Sequence, residues 1–296
     1  MRALVFGSMN LDYVYEVEHF VRPGETLAAR SRSVKPGGKG LNQSVALARA
    51  GAETSHAGCV GRGGEQLPAL LKENGVDTSD VVPVPEIQGH TVIQVNRDGE
   101  NSILLFSGSN TCVTEEQADR TLSRFGRGDW LLLQNEINLL PLITEKAAAR
   151  GMTVALNPSP YDSRLDQVDF GLLSWLLVNE IEAEQITGSD DPDTVWERLH
   201  ARHPRLSLLL TLGGRGSIVW RTDGARTEKV TQAAFRVPVV DTTAAGDTFT
   251  GYFIAGLMEG LPLKDCMARA SRAAAISVSR PGAADSIPWR AELDGQ

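Results

Sequence analysis

The sequence predicts an α/β fold: a doubly wound, mainly parallel sheet flanked by helices, with a small β-sheet lid. Short apolar strands alternate with helical segments over most of the chain, which is typical of parallel sheets with helices on both faces. Two half-polar strand pairs, within residues 11–35 and 88–109, interrupt this alternation and are assigned to one small sheet beside the main body. Because no internal repeat or low-complexity linker divides residues 1–296, we expect a single domain.

The main sheet is predicted from short apolar runs that end at a glycine or a polar residue. These runs lie at residues 3–8, 55–60, 130–134, 153–157, 174–178 and 206–212, and an antiparallel edge pair is expected at 217–221 and 227–230. The intervening helices are predicted from their periodicity and from their ends. Thr114 and Gln117, for example, have the spacing of a capping box, which opens a helix to Phe125. The last long helix is expected at 263–279.

The lid is predicted from four alternating strands at residues 13–21, 26–35, 90–96 and 102–107. Their polar character does not suit a buried parallel sheet, so we expect them to project over the carboxyl ends of the main strands. One face of the lid would then cover a ligand. The other face is expected to pair with the lid of a second copy, forming a homodimer, because it would carry apolar side chains drawn from Tyr13, Tyr15, Val17, Ile93, Val95 and Leu105.

One stretch, residues 241–249, organises the chemistry. Residues 235–240 before it are predicted to form a strand, and Phe249, Phe253 and Leu257 after it recur at helical spacing. The small residues Ala244-Ala245-Gly246 therefore form a turn into a helix, where unpaired N–H groups and the helix dipole favour an anion. Asp247 in the same turn suits a hydroxyl that loses its proton to a phosphate, although an acid at a helix N-terminus also has a simple capping interpretation.

Further polar residues follow the predicted strands at their carboxyl ends, where open α/β sheets bind ligands. Asn10 and Asp12 are placed to bind hydroxyls, although ordinary loop chemistry is the alternative. Residues 37–40 form a Gly-Gly-Lys-Gly loop at a helix N-terminus, which lets the backbone approach a ligand or simply turns the chain. The other members of this group are Glu136, Asn157, Asn179, Gly213 and Asp247.

The overall composition excludes several classes of protein. A net charge of −8 and a pI near 5.2 disfavour binding to nucleic acid. The sequence contains no apolar run long enough for a membrane span and does not begin like a signal peptide. Cys59, Cys112 and Cys266 lie far apart, in neither a disulfide nor a zinc pattern, so we expect a reduced cytoplasmic protein.

The motifs together resemble a known family. Residues 37–43 and 241–249 resemble the two signatures of the ribokinase-like (PfkB) sugar kinases. Five further stretches match in family order across nearly the whole chain, at 7–12, 157–160, 179–182, 211–216 and 282–289. The resemblance implies the predicted fold with its lid, and an ATP-dependent transfer of a phosphoryl group to a sugar hydroxyl.

The resemblance also implies a role for individual residues. It places the sugar at Asn10, Asp12, Gly38, Lys39, Asn42 and Glu136. It makes Asp247 the general base, with the anion hole formed by Ala244, Ala245 and Gly246. It places ATP at Asn179, Thr211, Leu212, Gly213, Gly214, Arg215, Gly216 and Gly246. It associates Asn179 and Glu182 with Mg²⁺ and phosphate, and it places a monovalent cation, usually potassium, at Asp241, Thr243, Ser277, Arg280, Gly282 and Ser286.

Some alternatives remain open. Ala244, where many family members have glycine, favours the ribokinase branch and hence D-ribose, whereas Asn135 and Ile137 beside Glu136 are less typical. Deoxyribose, fructose or a nucleoside are the other substrates, and base stacking on lid aromatics such as Tyr13, Tyr15, Phe20 and Phe106 would suit a nucleoside. A non-catalytic sugar-binding regulator is disfavoured because the catalytic residues are present. An NAD-dependent oxidoreductase is disfavoured because the dinucleotide fingerprint is missing.

Overall fold

The computed structural model describes residues 1–224 and 226–293 and has a nine-stranded main sheet. Along the sheet the strands are β13 (Arg226–Gln232), β12 (Ser217–Asp223), β11 (Ser207–Thr211), β10 (Trp175–Asn179), β9 (Thr153–Asn157), β8 (Trp130–Gln134), β1 (Ala3–Phe6), β4 (Thr54–Arg62) and β5 (Asp77–Ile87). The strands from β11 to β5 pair in parallel, and β12 and β13 close one edge antiparallel. The predicted mainly parallel sheet is confirmed.

Helices cover both faces of this sheet, as a doubly wound fold requires. They are α1 (Lys39–Arg49), α2 (Leu67–Glu73), α3 (Glu115–Leu122), α4 (Leu140–Ala149), α5 (Glu180–Thr187), α6 (Pro192–Arg202), α7 (Ala245–Met258), α8 (Leu263–Val278) and α9 (Arg290–Leu293). Successive residues of β1 alternate between two cores: Val5 joins the cluster of α1, α7 and α8, and Leu4 joins the cluster of α3 and α4. All side chains of β1 are buried, so its carboxyl end opens directly into the region between the helices.

The predicted lid is present as a separate four-stranded sheet. Its strands are β2 (Asn10–Glu16), β3 (Ser31–Gly37), β6 (His90–Val95) and β7 (Asn101–Phe106), in the order β3-β2-β6-β7. The two strand pairs join through a parallel pairing of β2 with β6. The first two lid strands, β2 and β3, are shorter than predicted, because residues 17–30 form a long connection instead of continuing the ladder.

Three details of the sequence interpretation are wrong. Residues 235–240 do not form a strand: the chain leaves the sheet after Gln232, and Phe235 and Val239 are exposed, so their alternation had mimicked a half-buried strand. The edge strand β5 was missed because residues 77–87 are polar and contain two prolines, which edge strands tolerate. Asn10 lies within lid strand β2, not in a loop after β1.

The predicted outer face of the lid is also partly wrong. The pairing register puts Asp12, Thr91 and Leu105 on one face, and Tyr13, Val92 and Leu104 on the other. Ile93 pairs with Val14 and therefore shares the face of Asp12, as does Leu105, because side chains alternate along a strand. Val17, expected to point outward, is buried. The apolar residues of the lid are thus divided between its two faces.

Candidate active site

The first helix of the site, α1, begins where the Gly-Gly-Lys-Gly loop lies against the end of β1. Gly38 precedes the helix in a left-handed conformation, with φ of 92°. A Cβ atom on Gly40 would lie 2.4 Å from the Ser8 nitrogen, so only glycine allows this approach. The amides of the first turn have partners in the protein: Lys39 N–H donates to Glu136 Oε2 at 3.0 Å, and Gly40 N–H donates to Ser8 Oγ at 3.2 Å. The Ser8 hydroxyl also donates to Glu136.

The second helix, α7, begins differently. Ala244 has a left-handed φ of 59°, a conformation that costs an L-residue about 1 kcal/mol. Ala245 N–H donates to Thr242 O and Thr248 N–H donates to Ala244 O. Within residues 1–224 and 226–293, the amides of Gly246 and Asp247 have no acceptor. A Cβ atom at Gly246 would have no atom within 4 Å. Free donors, open space and the helix dipole together make an anion site.

The carboxylate of Asp247 is buried at this helix start and held by two amides from α1. Asn42 Nδ2 donates to Asp247 Oδ2 at 3.0 Å, and Gln43 Nε2 donates to Asp247 Oδ1 at 2.8 Å. The side chain therefore points across to α1 and does not cap its own helix, which has no side-chain cap. Asp247 thus remains an acid in the first turn of α7, but its hydrogen bonds are made to α1.

Lys39 and Glu136 add an opposed pair of charges to the site. Burial alone would lower the pKa of Lys39, but the carboxylates of Asp247, Glu136 and Glu182 outweigh it and raise that pKa. The ammonium is therefore charged at neutral pH. Burial raises the pKa of Glu136, against the opposing effects of Lys39 and the Ser8 hydroxyl. The site thus combines one cation with several carboxylates, which suits a ligand that carries both hydroxyls and phosphate.

The lid contributes Asn10 and Asp12. Burial raises the pKa of Asp12, although the hydrogen bond from Thr91 Oγ1, 2.6 Å long, acts in the opposite direction. Asn10 Oδ1 accepts from Asn110 Nδ2 at 2.7 Å, and Asn110 Oδ1 accepts from Met9 N–H at 3.0 Å. Sequence reasoning missed Asn110, because it lies in a short 3₁₀ turn that no motif marks. It orients the Asn10 amide so that its donor group remains available.

A cavity of about 240 Å³ extends from Lys39 and the start of α7 to the carboxyl ends of β10 and β11. Of the predicted residues, it is lined by Lys39, Asn157, Asn179, Glu182, Thr211, Ala244, Ala245, Gly246 and Asp247. Asn10, Asp12, Gly38, Asn42 and Glu136 do not line it, and neither do Leu212 to Gly216. The Arg215 guanidinium pairs with Glu180 instead.

Asn179 and Glu182 form a capping box at the start of α5. Asn179 Oδ1 accepts from Glu182 N–H at 2.9 Å, and Glu182 Oε2 accepts from Asn179 N–H at 3.1 Å. Asn179 Nδ2 also donates to Glu182 Oε1 at 3.1 Å. Both carboxylate oxygens therefore have partners, and each keeps one lone pair that can bind a hydrated cation. The capping interpretation is confirmed. Asn179 and Glu182 also line the cavity.

The predicted cation loop is built around Asp241. Its Oδ1 accepts from Thr243 N–H at 2.9 Å, and its Oδ2 accepts from Gly282 N–H at 2.9 Å. Although burial opposes the charge, these hydrogen bonds prevail and lower the pKa of Asp241. Ser277 and Ser286 share a hydrogen bond of 2.8 Å, and Ser277 also contacts Thr248 of α7. The oxygen donors fit a monovalent cation.

The side chain of Arg280 pairs with Glu292 at 2.5 Å, and because a guanidinium cannot be a ligand, only the backbone carbonyl of Arg280 could bind the cation. Within the described ranges, no three His, Cys, Asp or Glu side chains form a metal-binding group.

No helix in the described part of the chain has the length and apolar character that a membrane crossing requires.

Comparison with known proteins agrees with this geometry. Residues 2–290 match the pfkB family carbohydrate kinase profile. A ribokinase of Haemophilus influenzae is 36% identical over 97% of this chain and 95% of its own length. A deoxyribokinase of Salmonella typhi is 30% identical over 97% and 96%.

Two solved structures share the whole fold. A ribokinase from Cryptococcus neoformans in complex with ADP has a TM-score of 0.85 and 34% identity, covering 99% of this chain and 98% of that one. An Arabidopsis thaliana ribokinase complexed with ribose and ATP has a TM-score of 0.83 and 28% identity, covering 99% and 97%. Fold and site thus define an enzyme that phosphorylates a sugar hydroxyl. The chain belongs to the pfkB family of carbohydrate kinases, and its similarity to ribokinases extends over nearly its full length.

Proposed function

We propose that this kinase transfers the γ-phosphoryl group of ATP to a primary hydroxyl of a small sugar, with D-ribose as the substrate. The observation that supports this most is that three groups meet in one cavity: the Asp247 carboxylate, the unpartnered amides of Gly246 and Asp247, and the Lys39 side chain. The similarity to ribokinases that hold ADP, or ribose and ATP, supports the choice of nucleotide and sugar.

Asp247 would orient the sugar hydroxyl and take its proton. The hydroxyl oxygen forms a bond to the γ-phosphorus while the bond to the β–γ bridging oxygen breaks and ADP leaves. In this largely dissociative reaction little proton abstraction is needed early, so the position of Asp247 matters more than its basicity. The carboxylate fits this role because both of its oxygens are fixed by Asn42 and Gln43.

The free amides of Gly246 and Asp247, in the turn that Ala244 and Ala245 open, would form the anion hole for the transferred group. Loss of one such preorganised donor costs about 3–4 kcal/mol in other enzymes. Lys39, which lines the same cavity, would neutralise phosphate charge. Glu182 and Asn179, which line the cavity, would hold Mg²⁺, and the ion would supply positive charge to offset that of the phosphates.

Potassium would be held by oxygen atoms of the loop that Asp241, Thr243, Gly282 and Ser286 form. Bound potassium would act on the anion hole by holding the residues around it in place. Asp241 accepts a hydrogen bond from Thr243 N–H, and Ser277 contacts Thr248 of α7. The roles of the remaining predicted residues, including Leu212 to Gly216 as an ATP-binding loop, are part of the same proposal.

The sugar would lie between α1 and the lid. Asn10, Asp12, Asn42 and Glu136 supply the amide and carboxylate groups that pair with hydroxyls, and a site built from such groups rejects an analogue that leaves them unpaired. Gly38 allows the backbone to approach, since a Cβ atom there would lie 2.9 Å from the Asn10 nitrogen.

Deoxyribose is the second candidate, favoured by the deoxyribokinase relative. A nucleoside is less favoured, because Tyr13 and Tyr15 line a separate cleft and not the cavity that contains Asp247. A non-catalytic regulator is disfavoured by the intact cluster of Asp247, Gly246, Asn179 and Glu182.

A coupled assay of ADP release across ribose, 2-deoxyribose, fructose and several nucleosides tests the proposal. We expect the highest kcat/KM with ribose. Preference for deoxyribose would change the substrate only, whereas absence of turnover with every compound would overturn the kinase activity proposed here.

The lid would also form a homodimer. Leu104 and Phe106 of β7 are exposed and lie on the face opposite Asp12, and an apolar face of this kind needs a cover. A second lid is the cover that we propose. Leu104→Lys should then give a monomer in sedimentation, with weakened sugar binding. Ile103→Lys changes the other face, so a monomer from this variant alone would reverse the assignment of faces. A monomeric wild type would exclude the dimer.

A further inference from the structure

A chain of buried side-chain amides leads from the middle of the main sheet to Asp247. Gln134, the last residue of β8, donates through Nε2 to Gln43 Oε1 at 2.6 Å. Gln43 donates through Nε2 to Asp247 Oδ1 at 2.8 Å and to Asn157 Oδ1 at 3.1 Å. Gln43 and Gln134 are fully buried. Gln134 has no role in the account above, and Gln43 enters it only as a contact of Asp247.

The direction of every hydrogen bond in this chain is fixed by its ends. An ionised carboxylate accepts only, so Gln43 must turn its NH₂ group toward Asp247 and its carbonyl toward Gln134. Asn157 Nδ2 donates to the carbonyl oxygen of Leu177 at 2.9 Å, which leaves Asn157 Oδ1 to face Gln43. The amide plane of Gln43 is therefore held at three points, and with it one oxygen of Asp247.

Gln134 is placed at a cost in stability. Its Oε1 atom is buried and has no partner in the part of the chain that the structure describes. Such an unsatisfied group costs about 1–3 kcal/mol. The end of β1 also lies close against it, because a Cβ atom on Gly7 would be 2.3 Å from Gln134 Oε1. An apolar side chain would suit this position better for stability alone, so the amide points to a role in orienting Gln43.

Asn42 and Gln43 differ in what else they can do at Asp247. The Asn42 Oδ1 atom has no partner among the described residues, and its side chain is one of those proposed to bind the sugar. When Asn42 turns its amide to a sugar hydroxyl, Gln43 remains as the protein donor to Asp247. The Asp247 carboxylate therefore keeps its orientation through Gln43 while the Asn42 amide exchanges partners.

We propose that Gln43 is a positioning residue for phosphoryl transfer, which fixes Asp247 against the sugar hydroxyl, and that Gln134 acts only by orienting Gln43. This inference rests on the proposed kinase activity. It concerns the rate of the chemical step and not the binding of either substrate. A misplacement of about 1 Å in such a group can cost about 100-fold in rate.

The variant Gln43→Met keeps the length of the side chain and removes its donors. We expect kcat for the best sugar to fall about 10- to 100-fold, while sugar affinity, measured by calorimetry, changes less than about 3-fold. Gln66→Met is the matched control, because Gln66 is exposed and makes no side-chain cap. An unchanged kcat in Gln43→Met, or a loss of sugar affinity as large as the loss of kcat, would overturn the proposal.

The variant Gln134→Met tests the relay without touching Asp247 or Gln43. We expect a smaller fall in kcat, with no further loss when it is combined with Gln43→Met, because both changes act through one contact. Additive losses in the double variant would contradict the proposal. If Gln43→Met does not fold, Gln134→Met alone decides: an unchanged kcat overturns the relay, and a reduced kcat with normal sugar affinity supports it.

Failure of this inference is distinct from failure of the proposed function. If the wild type phosphorylates none of the compounds tested, the kinase activity itself is wrong. If the wild type is active and the Gln43 variant is equally active, only the positioning role is wrong.

Discussion

The starts of α1 and α7 both follow a residue with positive φ, but their first amides have different partners. Each helix begins after a small residue with positive φ, Gly38 or Ala244, and neither has a side-chain cap. In α1 the chain itself fills the site, because Glu136 and Ser8 accept from the first amides. In α7 the corresponding amides of Gly246 and Asp247 have no acceptor in the described part of the chain.

This difference separates binding from catalysis. A helix start that is filled by a carboxylate no longer attracts an anion, and so α1 presents side chains, Lys39 and Asn42, to its ligand. A helix start that is left open presents its backbone, and so α7 is suited to a phosphoryl group. Asn42 and Gln43 then link the two helix starts by holding Asp247, so that a residue proposed to bind sugar is hydrogen-bonded to the residue proposed to activate it.

The largest expected effect comes from Asp247→Asn. We expect kcat to fall about 1000-fold, the middle of the range for a general base, while sugar affinity stays within a few fold. Steady-state kinetics and calorimetry measure the two quantities. A variant with near wild-type kcat would show that Asp247 is structural and that the proposed mechanism is wrong.

Because the start of α7 is open, we expect Gly246→Ala to raise the stability of the fold and to lower kcat. The new methyl group meets no protein atom within 4 Å, so it should stabilise the fold by up to about 1 kcal/mol. In the complex it would occupy space meant for the phosphoryl group, and kcat should fall about 10-fold or more.

Gly126→Ala is the control for this experiment, because Gly126 also has no neighbour within 4 Å and lies outside the site. Thermal unfolding and kcat should change in opposite directions for Gly246 only. If Gly246→Ala retains full activity, the space at α7 is not where the phosphoryl group binds.

The filled start of α1 predicts a pH dependence of sugar binding. Burial raises the pKa of Glu136 above the ordinary value of 4.5, so this carboxyl becomes neutral at a higher pH than an exposed glutamate. As the pH falls through that raised pKa, the attraction for Lys39 is lost and KM for the sugar should rise. In Glu136→Gln, KM should be raised at every pH, by about 10-fold, and this acid dependence should vanish. An unchanged pH profile in the variant would exclude Glu136 from the sugar site.

The smallest expected effect concerns the cation loop. Restoring potassium to a sodium- and potassium-free buffer at constant ionic strength should raise kcat by about 5-fold, which corresponds to a coupling of about 1 kcal/mol. Asp241→Asn should remove the response, because Asp241 connects Thr243 to Gly282. Identical rates with and without potassium would exclude the cation from the mechanism.

The α1–α7 comparison also shows what the sequence could and could not predict. The small-residue turn before Asp247 and the glycines before Lys39 were identified directly, because backbone approach requires particular residue types. The partner of each helix start was not predicted, since Ser8, Gln43 and Glu136 come together only through the parallel pairing of β1 and β8. No sequence motif marks Gln134 as a functional residue, because any polar residue could end an apolar strand in the same way.

The strand predictions were wrong at two exposed segments, where the pattern of apolar residues did not match the structure. Val237 and Val239 alternate like strand residues, but the Val240 and Asp241 amides donate to Val278 O at the end of α8, and so the segment lies along a helix and not in a sheet. The Asp77–Ile87 strand lacks apolar alternation because it forms the edge of the main sheet.

Backbone amide NMR tests the contrast between the two helix starts most directly. The enzyme, saturated with its sugar, would be titrated with ADP and then with ADP plus beryllium fluoride, a mimic of the transferred phosphoryl group. We expect the amide resonances of Gly246 and Asp247 to shift when beryllium fluoride is added, and those of Lys39 and Gly40 to stay in place. Shifts at Lys39 and Gly40 with none at Gly246 and Asp247 would contradict the account.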